Sequence, residues 1–325
     1  MATAYAILQR LLKAIVTLLL IVTLNFLLIN AAPGDPAAVM AGEAGAADEK
    51  FIADLREKFG LDEPIHVRLW AYVSNVAMLD LGYSYRRDAP VIELIAERLP
   101  ATLLLTMTAF FVSLGIGVLL GAVAAARVGR WTDSLVTGAA LLFYATPLFW
   151  VALMAVLLFS VQLEWLPGFG FETVGADYSG FERALDIGRH LILPALTLGL
   201  FFAAIYMRMT RSSMLEVSGM DFVKTARAKG LSDRLIQRRH VLRNALLPVV
   251  TLAGLQAGQL VGGAVLTETV FAWPGVGRLM FESLQARDYQ LLLGVFLVSA
   301  ALVILFNVIT DIVYRFVDPR IGAGR

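Results

Sequence analysis

Residues 101–126 read ATLLLTMTAFFVSLGIGVLLGAVAAA, twenty-six positions without a charged side chain. A helix of about 20 apolar residues crosses the hydrocarbon core of a bilayer. An isolated strand there would leave its backbone N–H and C=O groups without partners. The stretch therefore reads as a transmembrane helix. Five further apolar runs resemble it: Ala14–Ala32, Leu135–Ser160, Leu191–Met207, Leu247–Phe271 and Leu291–Tyr314. Composition agrees, because 58% of the 325 residues are hydrophobic and 16% are charged, against roughly 25% charged in an average soluble domain. A water-soluble globule of this size would lack the polar surface to cover itself. The expected fold is all-α, a polytopic membrane bundle of six transmembrane helices. Residues 1–32 hold the first helix, 33–100 form a helical extracytoplasmic cap, and 101–325 form the membrane domain with a cytoplasmic loop at 208–246.

Arg10 and Lys13 before the first run, and Ala31-Ala32 at its end, also suit a signal peptide. The run exceeds the usual 7–15-residue apolar region, and Pro33 would become the first mature residue, so a retained span is the better reading.

The net charge of +1 is a cancellation. With a cytoplasmic N-terminus, the inner segments carry 16 basic residues against 5 acids, and the outer ones 11 against 19. Positive residues accumulate on the cytoplasmic side, so both termini are expected there, in a multi-pass protein of the cytoplasmic (inner) membrane. Nine of the inner basic residues fall in 208–246. In that loop Asp221 stands where it would N-cap a helix over Phe222–Lys229, Gly230 suits a left-handed stop, and Ser232 would cap a second helix running toward Leu246. Pro248 follows at the start of the fifth span. Two helices meeting at a glycine corner make a stiff knuckle; a basic loop lying on anionic lipid is the competing reading.

In the cap, Asp48–Phe59 has an amphipathic pattern with Phe51, Ile52, Leu55 and Phe59 on one stripe. Pro64 begins a second helix with Ile65, Leu69, Trp70 and Val73 on one face. The aromatics Trp70, Tyr72, Tyr83 and Tyr85 suit either docking of another protein or packing at the membrane interface.

Much chemistry is excluded. There is no cysteine, and His66, His190 and His240 are far apart, so neither thiol chemistry nor a metal site is expected. No G-x-x-x-x-G-K-[ST], G-x-S-x-G or H-E-x-x-H occurs, so the chain has no catalytic site and no phosphate cradle. Glu268 and Asp311 are the ionisable residues inside spans, both near helix ends. An ion-coupled carrier holds such groups deep in the bilayer; their scarcity favours a passive translocation subunit powered by something else. The alternatives are an ion-coupled secondary transporter or channel acting alone, or a membrane scaffold. Gly117 and Gly121, and Gly254, Gly258 and Gly262, have the four-residue spacing that lets helices approach closely. Gln256, Gln259, Thr267 and Glu268 share the fifth span and would line a path or bond to neighbouring helices.

The loop also carries a family resemblance. Thr225-Ala226-Arg227-Ala228-Lys229-Gly230-Leu231, with His240-Val241-Leu242-Arg243-Asn244-Ala245-Leu246-Leu247-Pro248, resembles the cytoplasmic loop of peptide-type ABC importer permeases, the B-type subunit of the dipeptide/oligopeptide/nickel group. Pro33-Gly34-Asp35-Pro36, Phe59-Gly60-Leu61-Asp62-Glu63-Pro64, Arg98-Leu99-Pro100-Ala101-Thr102, Glu268–Gly277 and Asp318-Pro319-Arg320 extend the match along the chain. Lys224-Thr225-Ala226 replaces the Glu-Ala-Ala of the broader importer pattern, as in the peptide subgroup. Leu79-Asp80-Leu81-Gly82 departs from the usual Gly-Asp-Leu-Gly. The resemblance implies a type I importer fold. It implies that the loop, Asp221, Lys224, Thr225, Ala226, Arg227, Ala228, Lys229, Gly230, Leu231 and Ser232, is a coupling helix seated on an ATPase subunit. The implied partners are a homologous second permease, two ATPase subunits or domains that bind ATP and Mg, an extracytoplasmic solute-binding protein and membrane lipid. No cofactor is implied in this chain, and no nucleic acid. The solute would be a peptide or a related small molecule.

Overall fold

A computed structural model describes residues 2–31, 41–42, 48–58 and 62–317. Pro33–Pro36, Phe59–Leu61 and Asp318–Arg320 lie outside the described residues, as do the side chains of Phe51, Leu55 and Asp311. In chain order the elements are α1 (Ala2–Ala31), α2 (Glu49–Lys58), α3 (Ile65–Ala77), β1 (Tyr83–Ser84), β2 (Ala89–Pro90), α4 (Val91–Ala126), α5 (Trp131–Ala145) and α6 (Leu148–Ala155), which runs into a π-helical turn, Val156–Gln162. Then come α7 (Gly180–Ser218), α8 (Asp221–Ala228), α9 (Asp233–Leu235), a second π turn (Ile236–Leu242), α10 (Arg243–Val270), α11 (Val276–Ala286) and α12 (Tyr289–Val317).

Among the described residues the regular structure is helical except for one antiparallel hairpin, which the sequence pattern does not predict, pairing Tyr83 with Pro90 and Ser84 with Ala89. Its turn is held by the Tyr83 hydroxyl donating to Asp88 Oδ1 at 2.7 Å, with Asp88 at φ 51°. Two two-residue strands are below what alternation can reveal.

Among the described residues four helical stretches are long and apolar enough to cross a membrane, at 91–126, 180–218, 233–260 and 289–310, or five if α5 and α6 count as one span. The third apolar run is thus not one straight helix: α5 and α6 diverge by 105°. Pro147 is the cause. A residue before proline is driven out of the α region, and Thr146 accordingly sits at φ −86°, ψ 135°. Pro147 then opens α6. The Thr146 hydroxyl caps the end of α5 by donating to the Leu142 carbonyl at 2.7 Å.

Other boundaries moved because helices outrun their apolar stretches. α4 begins ten residues before the uncharged run, with Pro100 inside it. α7 carries the 191–207 run within 39 residues. Most of the 208–246 loop is consequently helix, and only 219–220 and 229–232 leave it. Pro248 lies inside α10 instead of opening a span.

The chain divides into two compact units, Met1–Pro100 with Gly275–Val308, and Ala101–Pro274 with Ile309–Arg325. In the first unit Val22, Leu81, Val91, Ile95, Val276, Leu279, Leu291 and Val295 form the core. α1 and α3 meet through Phe26 and Tyr72, ring centroids 5.9 Å apart, and through Arg68 Nη2 donating to Asn30 Oδ1 at 2.6 Å. The half-buried face of α3 is Leu69, Tyr72, Val73 and Val76, whereas Trp70 is 74% exposed and Ile65 is exposed too, off the stripe expected for them. The hairpin is latched to the start of α12. Ser84 Oγ donates to Asp288 Oδ2 at 2.5 Å, and the other oxygen of Asp288 caps the helix at the Leu291 N–H, 3.0 Å away. Arg87 and Arg278 both hold Glu282, at 2.9 and 2.8 Å.

In the second unit Leu105, Leu198, Phe202, Tyr206, Val249, Leu260 and Trp273 form the largest core, between α4, α7 and α10. Glycine decides how close α4 comes to α7. A Cβ at Gly117 would sit 2.6 Å from Tyr206 Cβ and 2.8 Å from the Ala203 carbonyl; one at Gly121 would sit 2.6 Å from the Met207 carbonyl. On α10, Gly254 packs on Thr310, and Gly258 is buried. Gly262 is exposed with nothing within 4 Å of a Cβ, and its neighbour Gly263 faces Leu198 and Phe202 instead. Gly254 and Gly263 therefore serve two different faces, since nine residues of a 3.6-residue helix turn it by half a revolution.

Candidate functional site

The site with the most defined local structure is α8 and its flanks. Met220, extended at φ −71°, ψ 152°, occupies the N-cap position and offers no side-chain acceptor. Asp221 is therefore not the cap but the first helical residue. Its carboxylate still faces the positive end of the helix and pairs with Lys224 Nζ at 2.8 Å. Ser232 does stand at the N-cap position of α9, but its hydroxyl makes no capping bond.

The far end of α8 closes as a Schellman motif. Gly230 N donates to the Arg227 carbonyl at 2.9 Å and Leu231 N to the Ala226 carbonyl at 3.4 Å. That pair of bonds requires a left-handed residue at Gly230, and its φ is 77°. The glycine corner read from sequence is present.

One face of α8 is anchored. Val223 and Ala226 are buried in a small core with Ala125 of α4, Met214 and Val217 of α7, Ile236 and Val241 of the second π turn, and Ala245 of α10. Full burial of a valine side chain contributes about 1.5–3 kcal/mol. The other face is exposed: Asp221, Phe222, Lys224, Thr225, Arg227, Ala228, Lys229, Gly230, Leu231 and Ser232. Arg227 lies 3.7 Å from Asp233, an exposed pair of the sort that adds at most about 1 kcal/mol. The arrangement is a short helix rigidly seated on three helix ends, presenting a basic surface with apolar Phe222, Leu231 and Leu235 among the charges. Chemically it offers no reaction. It offers a contact.

The polar residues of α10 divide into two settings. Gln256 is half-buried and Gln259 exposed, on positions open to a passing solute or a neighbouring chain. Thr267 and Glu268 are interior, at 1% and 0% exposure, so this pair does not line an open face of the chain. Glu268 Oε1 instead accepts from Thr102 Oγ1 at 2.7 Å, joining α10 to α4. Beyond it α10 ends in a second Schellman closure: Trp273 N donates to the Glu268 carbonyl at 2.9 Å, with Ala272 left-handed at φ 52°. Trp273 is fully buried; its Nε1 donates to the Ala101 carbonyl at 2.9 Å and its ring meets Phe171 edge-on at 4.8 Å. Phe271 accepts a bond from Gly170 N at 2.9 Å. The Glu268–Pro274 segment is a lock on the start of the 101–126 run.

Two charged clusters were not found from sequence. Asp133, counted there only as an inner acid, takes a two-pronged bond from Arg211, Nε to Oδ1 at 2.7 Å and Nη2 to Oδ2 at 2.9 Å. His190, read as isolated, is buried beside Asp186, with Nδ1 donating to the Asp186 carbonyl at 2.9 Å; the Asp186 carboxylate takes the N–H and hydroxyl of Thr173 at 2.7 and 2.8 Å. The i, i+4 spacing of Asp186 and His190 was a usable signal. Among the described residues no three His, Asp or Glu side chains converge as a metal site would need.

Comparison with known proteins bears on both units. Residues 117–323 match the family model for the binding-protein-dependent transport system inner membrane component, and residues 4–106 match the N-terminal model of the same transport-system membrane components. The chain is 41% identical over 335 residues to the dipeptide transport system permease protein DppB of Alkalihalophilus pseudofirmus, covering 98% of this chain and 99% of that one. It is likewise 41% identical over 315 residues to the glutathione transport system permease protein GsiC of Salmonella typhimurium, covering 97% and 98%. Among solved structures, an inward-facing form of the MetNI methionine ABC transporter matches with a TM-score of 0.54 at 19% identity, over 70% of this chain and 97% of that one.

Proposed function

The chain belongs to the binding-protein-dependent transport inner membrane components and is the permease subunit of an ABC importer whose ATPase subunits bind and hydrolyse the nucleotide; on that premise we propose that it moves short peptides and that α8 is the contact through which ATP binding drives it. The observation that carries the coupling role is the two-faced build of α8: Val223 and Ala226 locked into the ends of α4, α7 and α10, and a basic, partly apolar face left exposed. A lever must not bend. The Schellman closure at Gly230 and the buried anchors meet that requirement. Closure of the ATPase dimer would push α8 as a rigid body and switch the bundle between inward- and outward-facing states, while an extracytoplasmic binding protein delivers the solute.

The arrangement in the membrane is six spans with both termini cytoplasmic. Support comes from the four long apolar helices, the bent α5–α6 pair and the 12–28 apolar stretch of α1, together with the excess of positive charge in the inner segments. A second, homologous permease would complete the path, with Gln256 and Gln259 of α10 facing it and Gly117, Gly121, Gly254 and Gly258 holding the helices of this subunit close. Lipid covers the remainder. Peptide as the cargo follows the names of the dipeptide and glutathione permeases the chain is similar to.

The chain has no cysteine, so single substitutions report cleanly. Lys224→Cys should crosslink to the ATPase subunit in membranes containing the assembled complex, and Val174→Cys, at the 99%-exposed tip of the 163–179 segment, should not. Equal crosslinking at both positions, or none at Lys224→Cys, refutes the contact. Uptake of labelled dipeptide by proteoliposomes holding the complex and its binding protein tests the cargo.

A further inference from the structure

α5 is an unusual helix for its place. Of its fifteen residues only one, Asp133, is buried, and it is the one that carries a charge. Leu135, Leu141 and Leu142 are 55–68% exposed. Such a helix has little apolar burial to hold it to the bundle. What holds it is α7, at two levels. At the lower level Asp133, 5% exposed, receives Arg211 through both guanidinium prongs; Gly129 N donates to Oδ2 at 3.1 Å and Thr137 Oγ1 to Oδ1 at 3.4 Å. About three turns further along α5, Arg208 lies over the Tyr144 ring, 4.8 Å from its centroid, and Tyr144 stacks on Phe201 at 5.6 Å.

Arg211 is three residues from Met214 and six from Val217 on the same helix, and both residues share a core with Val223 and Ala226 of α8. A two-pronged Arg–carboxylate pair fixes orientation as well as distance. An apolar contact would allow α5 to slide; this one does not. We propose that the Asp133–Arg211 pair is a rigid joint that makes α5 follow α7 when α8 is displaced, so that Asp133 and Arg211 are positioning residues for coupled transport. The inference rests on α8 being the ATPase contact.

The test uses the whole complex with its binding protein in proteoliposomes. Asp133→Asn and Arg211→Lys each loosen the pair, and the exchange Asp133→Arg with Arg211→Asp restores opposite charges. Spin labels at Leu135→Cys on α5 and Ser212→Cys on α7, both exposed, report the α5–α7 distance. With the native pair that distance should stay the same with and without ATP. In Asp133→Asn it should broaden and shift on ATP binding, ATP hydrolysis should stay within about twofold, and uptake per ATP should fall at least tenfold. The exchange should recover at least a third of the lost uptake. If Asp133→Asn does not assemble, Arg211→Lys, which keeps the charge but loses the two-pronged geometry, gives the same readings. Native uptake per ATP with an unchanged label distance in either variant overturns the proposal, as does an exchange that recovers nothing. Failure of α8 as the ATPase contact registers separately, as a missing Lys224→Cys crosslink in the native Asp133 background.

Discussion

Gly230 separates backbone strain from steric crowding, because a Cβ there would meet nothing within 4 Å while φ stands at 77°. Any penalty for replacing it is therefore conformational. Alanine in the left-handed region is disfavoured by about 1–2 kcal/mol, and a β-branched residue there is a true outlier and worse. Asparagine, whose short polar side chain tolerates the region, should be nearly neutral. The Schellman bonds of Gly230 and Leu231 are lost if the corner relaxes, while Val223 and Ala226 keep α8 seated. A 1.4 kcal/mol penalty is a tenfold change in the population of the closed corner, so Gly230→Ala should lower uptake per ATP several-fold and Gly230→Val by tenfold or more. Gly230→Asn should stay within about twofold of native. Basal ATPase activity and complex assembly should survive in all three. The assay is paired measurement of solute uptake and phosphate release in proteoliposomes. Equal coupling in the Asn, Ala and Val variants would refute the idea that a left-handed corner stiffens the lever.

Gly121→Leu should prevent the close approach of α4 and α7, since a Cβ there already sits 2.6 Å from both the Met207 carbonyl and Thr210 Cβ; a loss of about 1–3 kcal/mol would appear as a lower Tm of the purified complex. Ala272→Gly should do the opposite, relieving φ 52° and raising Tm, whereas Trp273→Phe should lower it by removing the bond to the Ala101 carbonyl, about 0.5–1.5 kcal/mol. At Glu282 burial pushes the carboxyl up, but the hydrogen bond from Arg87 and the charges of Arg278, Arg87 and Arg98 outweigh it and hold the carboxyl below its ordinary range. A depressed carboxyl stabilises the fold above its unfolded-state pKa and loses that contribution as pH falls through the lower folded value. Thermal stability of the native chain should thus drop on acidification more than that of Glu282→Gln, a difference measurable by melting between pH 6 and 3.

Features that depend on neighbours along the chain were legible from sequence. The corner at Gly230, the helix opened at Pro64 and the expected helix over 48–59 needed only local rules. The break at Pro147 was equally local and was overlooked because the apolar run around it looked continuous. Asp221 was misplaced by one position, within the uncertainty of any helix end. Glu268 is a different case. Its polarity left an open path and a bond to a neighbouring helix as alternatives, and the bonding partner, Thr102, is 166 positions away, with nothing along the chain between them to mark the pair.

What the sequence by itself determined was which stretches are apolar enough to cross a membrane and that the chain corners at Gly230. Both follow from transfer free energies and backbone sterics, which act over a few residues. Only the tertiary structure decided how the charges are partnered: Asp133 by Arg211 across 78 positions, Asp288 by the Ser84 hydroxyl across 204, Glu282 by Arg87 across 195. A charge in a sequence is the same symbol whether it ends in water, lipid head groups or an ion pair. The distinction is made by helices that pack at a definite rotation, here set by glycines that let α4 approach α7, and that rotation aims Arg211 at Asp133.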